Sequence, residues 1–121
     1  MKIEIRNGLA YTSVSLTYEG RQITLDNILL DTGSAGTIFS ADKILDRGLH
    51  IEVYDRMHRI QGTEFVFTKR IDRLCLGELQ VSDFDIQVGA MNYGIDMNGI
   101  IDLNFLLQVG AHIDLKRLEI Y

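Results

Sequence analysis

The tetrapeptide Asp31-Thr32-Gly33-Ser34 is the part of the sequence best suited to chemistry. It follows the apolar run Ile28–Leu30, whose composition is typical of a strand buried on both faces. The chain therefore carries a carboxylate from a buried strand directly into a tight glycine turn. From average residue usage, such a motif should occur by chance in fewer than about one in a hundred chains of this length. The alternative is an Asx-turn, in which the aspartate only bonds its own backbone.

Other side chains that could carry chemistry are dispersed along the sequence. His50, His58 and His112 stand far apart, and none lies at metal-ligand spacing from Cys75 or from another histidine. Cys75 lies between two leucines of a predicted strand, where packing explains it better than nucleophilic chemistry. Asp96-Met97-Asn98-Gly99 has its glycine at the wrong position for a calcium loop. The sequence thus predicts no metal site and no cofactor.

The elements that must position Asp31 are mostly strands, because apolar and polar residues alternate along most of the chain. Turn residues recur about every 8 to 12 residues, a spacing typical of all-β sandwiches and barrels. A hairpin through Glu19-Gly20-Arg21 leads towards Asp31. Two short helices are predicted. The first begins with Ser40-Ala41-Asp42 as its N-cap and acidic first turn, continues over Lys43–Arg47 and stops at Gly48, and the second covers Leu103–Val109.

The strands predicted after the first helix are short and are separated by glycines and by Ser82-Asp83. They are Ile51–Tyr54, Met57–Gln61, Glu64–Ile71, Leu74–Leu76, Phe84–Val88 and Gly99–Ile101, followed by a final hairpin over Ala111–Tyr121. The segments Ile28–Gly33 and Gly99–Asn104 both run from an apolar strand into a polar turn, followed by a predicted helix. This internal echo is typical of a pseudo-symmetric barrel, although coincidence could also produce it.

Several segments, taken in order, resemble the retropepsin-like aspartic proteases, the small single-domain relatives of retroviral proteases and of one lobe of pepsin. After a leading hairpin these are LLDTGSAGTIF (Leu29–Phe39), a flap-like hairpin (Arg59–Thr63), LCLGELQVSDFDIQVG (Leu74–Gly89) and NGIIDLNFLLQVGAHIDL (Asn98–Leu115). The resemblance covers nearly the whole chain. It implies an all-β fold, a closed β-barrel of the acid-protease type with one or two short helices, forming a single domain over residues 1–121.

The resemblance also implies an aspartic endopeptidase whose catalytic residue is Asp31. Two carboxyl groups a hydrogen bond apart cannot both ionise, so one acts as base on a water while the other donates to the peptide carbonyl. Since the chain has one such motif, a homodimer is implied in which each copy supplies Asp31. By the same resemblance, Thr32 would cross-bond between the copies and Gly33 would admit the substrate backbone. Ser34 would hydrogen-bond the outer carboxylate oxygen of Asp31.

The resemblance places a substrate-binding flap at Ile60, Gln61 and Gly62. Family flaps are rich in glycine at the tip, whereas here Gln61-Gly62 stands where two glycines are common. A stiffer or more polar tip is therefore implied. An ordinary surface hairpin is the alternative.

Asp102 departs from the family pattern, which has glycine after the second apolar pair. One interpretation makes Asp102 the N-cap of the helix Leu103–Val109. The other makes it a modulator, an additional carboxylate near the catalytic pair that raises the pKa of Asp31 or displaces its turn. Because of this residue, the alternative to an active peptidase is a catalytically weak or inactive peptide-binding or dimerisation module of the same fold. A plain β-barrel interaction domain is a third, more remote hypothesis.

Charge and composition restrict the partners. The 121 residues include 17 acidic and 12 basic side chains, for a net charge of −5, and the basic residues are scattered. This argues against nucleic acid and against an anionic membrane, which both require a clustered positive face. One cysteine and no apolar leader segment predict a reducing, cytoplasmic setting. The expected partners are a second copy of the chain and a peptide or polypeptide substrate.

Overall fold

Ten strands and two helices make up the part of the chain that the computed structural model describes, residues 1–51, 57–60, 64–91 and 94–121. The strands are β1 (Glu4–Arg6), β2 (Leu9–Tyr18), β3 (Arg21–Leu30), β4 (Ile38–Ser40), β5 (Met57–Ile60), β6 (Glu64–Leu76), β7 (Leu79–Gly89), β8 (Gly99–Ile101), β9 (Ile113–Asp114) and β10 (Glu119–Ile120). The helices are α1 (Ala41–Asp46) and α2 (Leu103–Val109).

Six of these strands close into a barrel of mixed strand direction. Their order is β2-β3-β8-β4-β7-β6, and β6 pairs back onto β2, with Leu74 opposite Leu16. The pairs β3–β8 and β4–β7 are parallel, whereas β4 and β8 are antiparallel. β1 extends the sheet beyond β2, and β5 extends it beyond β6. The predicted all-β closed barrel with short helices is confirmed, while homodimerisation stays a prediction.

Alternate side chains of the long strands fill the barrel. Val14 and Leu16 on β2, Leu74 and Leu76 on β6 and Ile86 on β7 are almost completely buried. A strand turns successive side chains to opposite faces, so this period-two pattern sends one set of residues into the core. The alternation of apolar and polar residues in the sequence therefore indicates which side chains of the barrel strands face the core.

The parallel pair β3 and β8 brings distant parts of the chain to one edge of the sheet. Leu30 pairs with Ile101, so the residues that follow them, Asp31 and Asp102, leave the sheet side by side. Gly99 begins β8 at a very close approach, because a Cβ built there would lie 2.5 Å from Cδ1 of Phe39. The absence of a side chain at this position lets β8 enter the barrel.

The helices begin and end at residues with suitable capping chemistry. The Ser40 hydroxyl accepts a hydrogen bond from the Lys43 amide at 3.4 Å, so the predicted N-cap is confirmed and α1 begins at Ala41. Gly48, with φ of 83°, follows the end of α1 in the left-handed region. α2 has the predicted bounds, and its Phe105 ring packs edge-on against Phe84 with centroids 5.7 Å apart.

Two predicted strand breaks are wrong. The predicted strands on either side of residues 72 and 73 form one strand, β6, and β7 continues through the predicted separator Ser82-Asp83. Asp83 adopts a φ of 53°, and one residue pair is missing from the β6–β7 ladder, but the register is the same on both sides. Aspartate tolerates the left-handed region, so Asp83 can adopt this conformation without ending β7.

The two ends of the described chain are held together. The final hairpin is confirmed as β9 and β10, and the Ile3 amide donates to the Leu118 carbonyl at 2.8 Å. The His112 ring stacks on Tyr121 with centroids 5.3 Å apart. Neither α1 nor α2, the helices of the described ranges, has the length and apolar character needed to cross a membrane.

Candidate active site

Asp31 begins a tight loop at the edge of the β3–β8 pair. Its backbone amide donates to the Ile101 carbonyl at 3.0 Å, which extends the parallel ladder by one bond. Its Oδ1 accepts from the Gly33 amide at 2.9 Å, and its carbonyl accepts from the Ser34 amide at 3.1 Å. The predicted Asx-turn is therefore present. It occupies one carboxylate oxygen, and no residue in the described ranges donates to the other oxygen, Oδ2.

The loop after Asp31 is braced by its own polar groups. The Ser34 hydroxyl donates to the Gly36 carbonyl at 2.9 Å and accepts from the Gly36 amide at 3.4 Å. The hydrogen bond that the resemblance implied, from Ser34 to the Asp31 carboxylate, is not formed in this chain, because a hydroxyl has one proton and Gly36 receives it. Ser34 thus stiffens the loop and does not contact the carboxylate.

Thr32 and Gly33 are both exposed at the surface of the chain. A Cβ built on Gly33 would lie 3.3 Å from Oδ1 of Asp31, so glycine leaves room for the hydrogen bond that orients the carboxylate. The implied roles of Thr32 in a cross-subunit bond and of Gly33 in admitting substrate both require a second molecule. These two roles stay predictions, and the exposure of both residues is compatible with them.

Asp102 leaves β8 next to this loop, and its side chain points into the protein. It is the N-cap of α2, with Oδ1 accepting from the Phe105 amide at 2.9 Å. The same oxygen accepts from the Thr37 hydroxyl at 2.8 Å. The structure therefore gives Asp102 the capping role that one of the two interpretations predicted. Its modulation of Asp31 through charge stays a prediction.

An apolar cluster forms around Leu29 of β3, two residues before Asp31. Buried Leu29 packs with Tyr11 and Met97, and with partly buried Leu9, Met91 and Ile100 around them. A cleft of about 480 Å³, lined in part by Leu9 and Tyr11 together with Arg6, adjoins the cluster. The strand that leads into Asp31 thus packs into an apolar cluster whose partly exposed members are Leu9, Met91 and Ile100.

The predicted flap falls mainly outside the described residues. Ile60 ends β5 and pairs with Glu64 at the start of β6, and these two strands are antiparallel. Gln61 and Gly62, together with most of the predicted strand Ile51–Tyr54, lie outside the described ranges. The substrate-binding role of all three flap residues stays a prediction.

Solved structures match this arrangement over most of its length. A retropepsin-like aspartic protease from Rickettsia conorii aligns with a TM-score of 0.64 and 15% identity, over 94% of this chain and 81% of that chain. The retroviral protease-like domain of Ddi1 from Leishmania major aligns with a TM-score of 0.67 and 20% identity, over 93% of this chain and 86% of that chain. The fold is retropepsin-like.

The retropepsin-like fold confirms the structural part of the resemblance seen in the sequence. At identities of 15% and 20%, this likeness shows the fold alone. A scan against protein-family models and a search of curated protein sequences each found no match.

Two residues important to the site were missed in the sequence. Thr37 is separated from its partner Asp102 by 65 positions, and no local pattern indicates that contact. The role of Gly99 could have been predicted, because a glycine in an apolar strand often marks a close approach of another backbone segment. A Cβ built on Gly99 would lie only 2.9 Å from the Ile38 carbonyl oxygen, so the two backbones approach closely.

Proposed function

We propose that this protein is an aspartic endopeptidase that acts as a homodimer and hydrolyses peptide bonds with a water activated between two Asp31 carboxylates. The observation that carries the proposal is the hydrogen bonding of the Asp31 carboxylate. One oxygen is fixed by the Gly33 amide at 2.9 Å, while Oδ2 has no donor among the described residues. A carboxylate that is oriented through one oxygen and open at the other is suited to share a proton with a second carboxylate.

The chemistry follows from the pairing. Two carboxyl groups at hydrogen-bond distance hold one proton between them at the working pH. The ionised group takes a proton from water as the water attacks the peptide carbonyl carbon, and the protonated group donates to the carbonyl oxygen. After this step the pair still holds one proton, now on the carboxyl group that acted as base. Collapse of the tetrahedral gem-diol breaks the C–N bond as that carboxyl group donates its proton to the departing nitrogen and the other carboxylate takes the proton of one gem-diol hydroxyl. The products are an amine and a carboxylic acid, and the pair again holds one proton.

A second copy is the natural source of the second carboxylate. The chain has one such motif, and its loop displays Thr32, Gly33 and Ala35 to solvent. Leu103, which directly follows Asp102, is 41% exposed although it is apolar. A copy related by a two-fold axis at Asp31 would cover this surface and contribute the same residues in return.

The surroundings of Asp31 favour an extended peptide with an apolar side chain near the scissile bond. Leu29 and Ile100 lie on adjacent strands, and Met97 packs with them. The adjoining cleft gives further side chains a place to bind. We expect the flap at Ile60, Gln61 and Gly62 to cover the bound peptide, and we keep the cytoplasmic setting as a prediction.

The non-cleaving module of the same fold is the alternative outcome. It was expected because Asp102 replaces the usual family glycine. That carboxylate accepts hydrogen bonds from Thr37 and Phe105, which supports its capping role and weakens the ground for expecting inactivity. Peptide binding without cleavage by the wild-type protein would favour this alternative.

The direct test replaces Asp31 by asparagine. Asparagine keeps an acceptor oxygen for the Gly33 amide but cannot serve as a base, so Asp31→Asn should abolish cleavage and leave the fold intact. Cleavage of a peptide library is followed by mass spectrometry across pH, and wild-type activity should be greatest at acidic pH. Asp46→Asn, an exposed position at the end of α1, is the matched control and should cleave normally. Full activity in Asp31→Asn would contradict the proposal.

A further inference from the structure

Asp102 is a buried carboxylate, with 2% of its surface exposed. Its partner Thr37 is 3% exposed. The Thr37 hydroxyl donates to Oδ1 of Asp102 at 2.8 Å and accepts from the Asp102 amide at 3.2 Å. The two residues are thus joined by a reciprocal pair of hydrogen bonds in the protein interior, where such bonds are not weakened by competing water.

This pair lies at one end of the loop that carries Asp31. The loop runs from Asp31 to Thr37, and its first amide is held by the carbonyl of Ile101 at 3.0 Å. Its last side chain is held by Asp102. Two consecutive residues, Ile101 and Asp102, therefore fix both ends of the loop. Ile101 is the last residue of β8 and Asp102 is the N-cap of α2, so both residues are held by regular secondary structure.

We propose that Asp102 is a positioning residue, which acts through Thr37 to set the orientation of Asp31. The proposal rests on the proposed peptidase function. A catalytic pair requires its two carboxylates at hydrogen-bond distance, and in a homodimer any displacement of the loop occurs in both copies. An error of about 1 Å in the position of a reacting group can cost about a hundredfold in rate. A small loop movement is therefore sufficient to matter.

The loop should shift without unfolding when this link is removed. The Thr37 carbonyl also accepts from the Gln87 amide at 2.8 Å, which holds the backbone against β7. Gly36 packs against the Gln87 side chain, since a Cβ there would lie 2.8 Å from its Oε1. These contacts preserve the course of the chain, while the hydroxyl and carboxylate set its final placement.

The experiment compares Thr37→Val, Asp102→Ala and Asp102→Asn in the full chain. Valine has nearly the shape of threonine without the hydroxyl, so Thr37→Val should lower kcat about tenfold or more. KM should stay within about twofold, because the peptide-binding surface is untouched. Asp102→Ala should behave in the same way. Asp102→Asn should restore a kcat close to that of the wild type, since the amide oxygen can accept from both donors.

Ser40→Ala is the matched control, because Ser40 caps the other helix through the Lys43 amide and does not contact the Asp31 loop. It should lower stability through loss of an N-cap while kcat is unchanged. An unchanged kcat in Thr37→Val would overturn the proposal. An Asp102→Asn protein as impaired as Asp102→Ala would also overturn it.

A second measurement separates this proposal from the proposed function. The exchange rate of the Asp31 amide, measured by NMR, should rise about tenfold in Thr37→Val and remain unchanged in Ser40→Ala. If the wild-type protein does not cleave peptides, the proposed function fails, and the exchange rate still decides whether Asp102 positions the loop. Equal exchange in Thr37→Val and the wild type would refute the positioning role.

Discussion

Gly99→Ala is the substitution for which the structure gives the sharpest expectation of lost stability. The added Cβ would lie 2.5 Å from Cδ1 of Phe39, 3.0 Å from Cδ1 of Ile28 and 2.9 Å from the carbonyl oxygen of Ile38. Phe39 and Ile28 are completely buried, and the Ile38 carbonyl belongs to a strand that pairs with β8. None of these three atoms can move away without disturbing the barrel.

Two opposing effects set the magnitude. Inserting a methyl group into a packed core costs about 1–3 kcal/mol. Replacing glycine by alanine lowers the entropy of the unfolded chain, which stabilises the folded state by about 0.4–1 kcal/mol. The backbone contact places Gly99→Ala in the upper part of the cost range, so we expect a net loss of about 1–2 kcal/mol. For a domain of 121 residues this corresponds to a fall in Tm of about 4–8 °C.

The assay is thermal unfolding followed by circular dichroism, with wild type and variant at equal protein concentration because association shifts Tm. Phe39→Val is the partner substitution in a double-mutant cycle, since it removes the nearest atom. The double variant should lose less stability than the sum of the two single losses. A Tm for Gly99→Ala equal to or above that of the wild type would refute the packing argument.

Two further predictions concern the active-site loop and the surface. Gly33→Ala should abolish most cleavage, because the added Cβ would crowd Oδ1 of Asp31, and should change Tm little, because the position is exposed. Peptide cleavage and Tm are measured for the same preparation, and normal cleavage would contradict the prediction. The hydrogen bond from Arg70 holds the pKa of Asp85 below its ordinary value. The pair therefore stabilises the folded protein at pH values above the unfolded-state pKa of aspartate, about 4. This stabilisation is lost as the pH falls through the folded-state pKa of Asp85. In urea unfolding, Asp85→Asn should be slightly less stable than wild type at neutral pH, and a gap that persists unchanged at strongly acidic pH would be contrary to this expectation.

The features that the sequence predicted correctly depend on short stretches of chain. Asp31 follows an apolar strand and precedes a glycine turn, and this local order indicates where the loop begins. The bounds of α2 follow from an N-cap at Asp102 and a left-handed Gly110. The barrel strands are visible because alternating residues must face either core or solvent.

The features that the sequence did not predict depend on contacts between distant segments. The hydrogen bond between Thr37 and Asp102 exists because β4 and β8 pair antiparallel, which brings Thr37 beside the end of β8, and this pairing has no local pattern. Ser34 was expected to hydrogen-bond the Asp31 carboxylate, but its hydroxyl donates to the Gly36 carbonyl instead. Asp83 suggested a turn, yet pairing along the β6–β7 hairpin outweighs one local irregularity. In each case a specific partner decided between locally acceptable alternatives.

The central claim is that two Asp31 carboxylates from two copies form one catalytic site, and subunit mixing tests it most directly. Wild-type and Asp31→Asn chains are mixed in varying proportion at constant total concentration, allowed to exchange, and assayed for peptide cleavage. If both carboxylates are required, activity follows the square of the wild-type fraction, so an equal mixture retains about one quarter of the wild-type activity. Activity that falls in direct proportion to the wild-type fraction would show that a single chain suffices and would contradict the account.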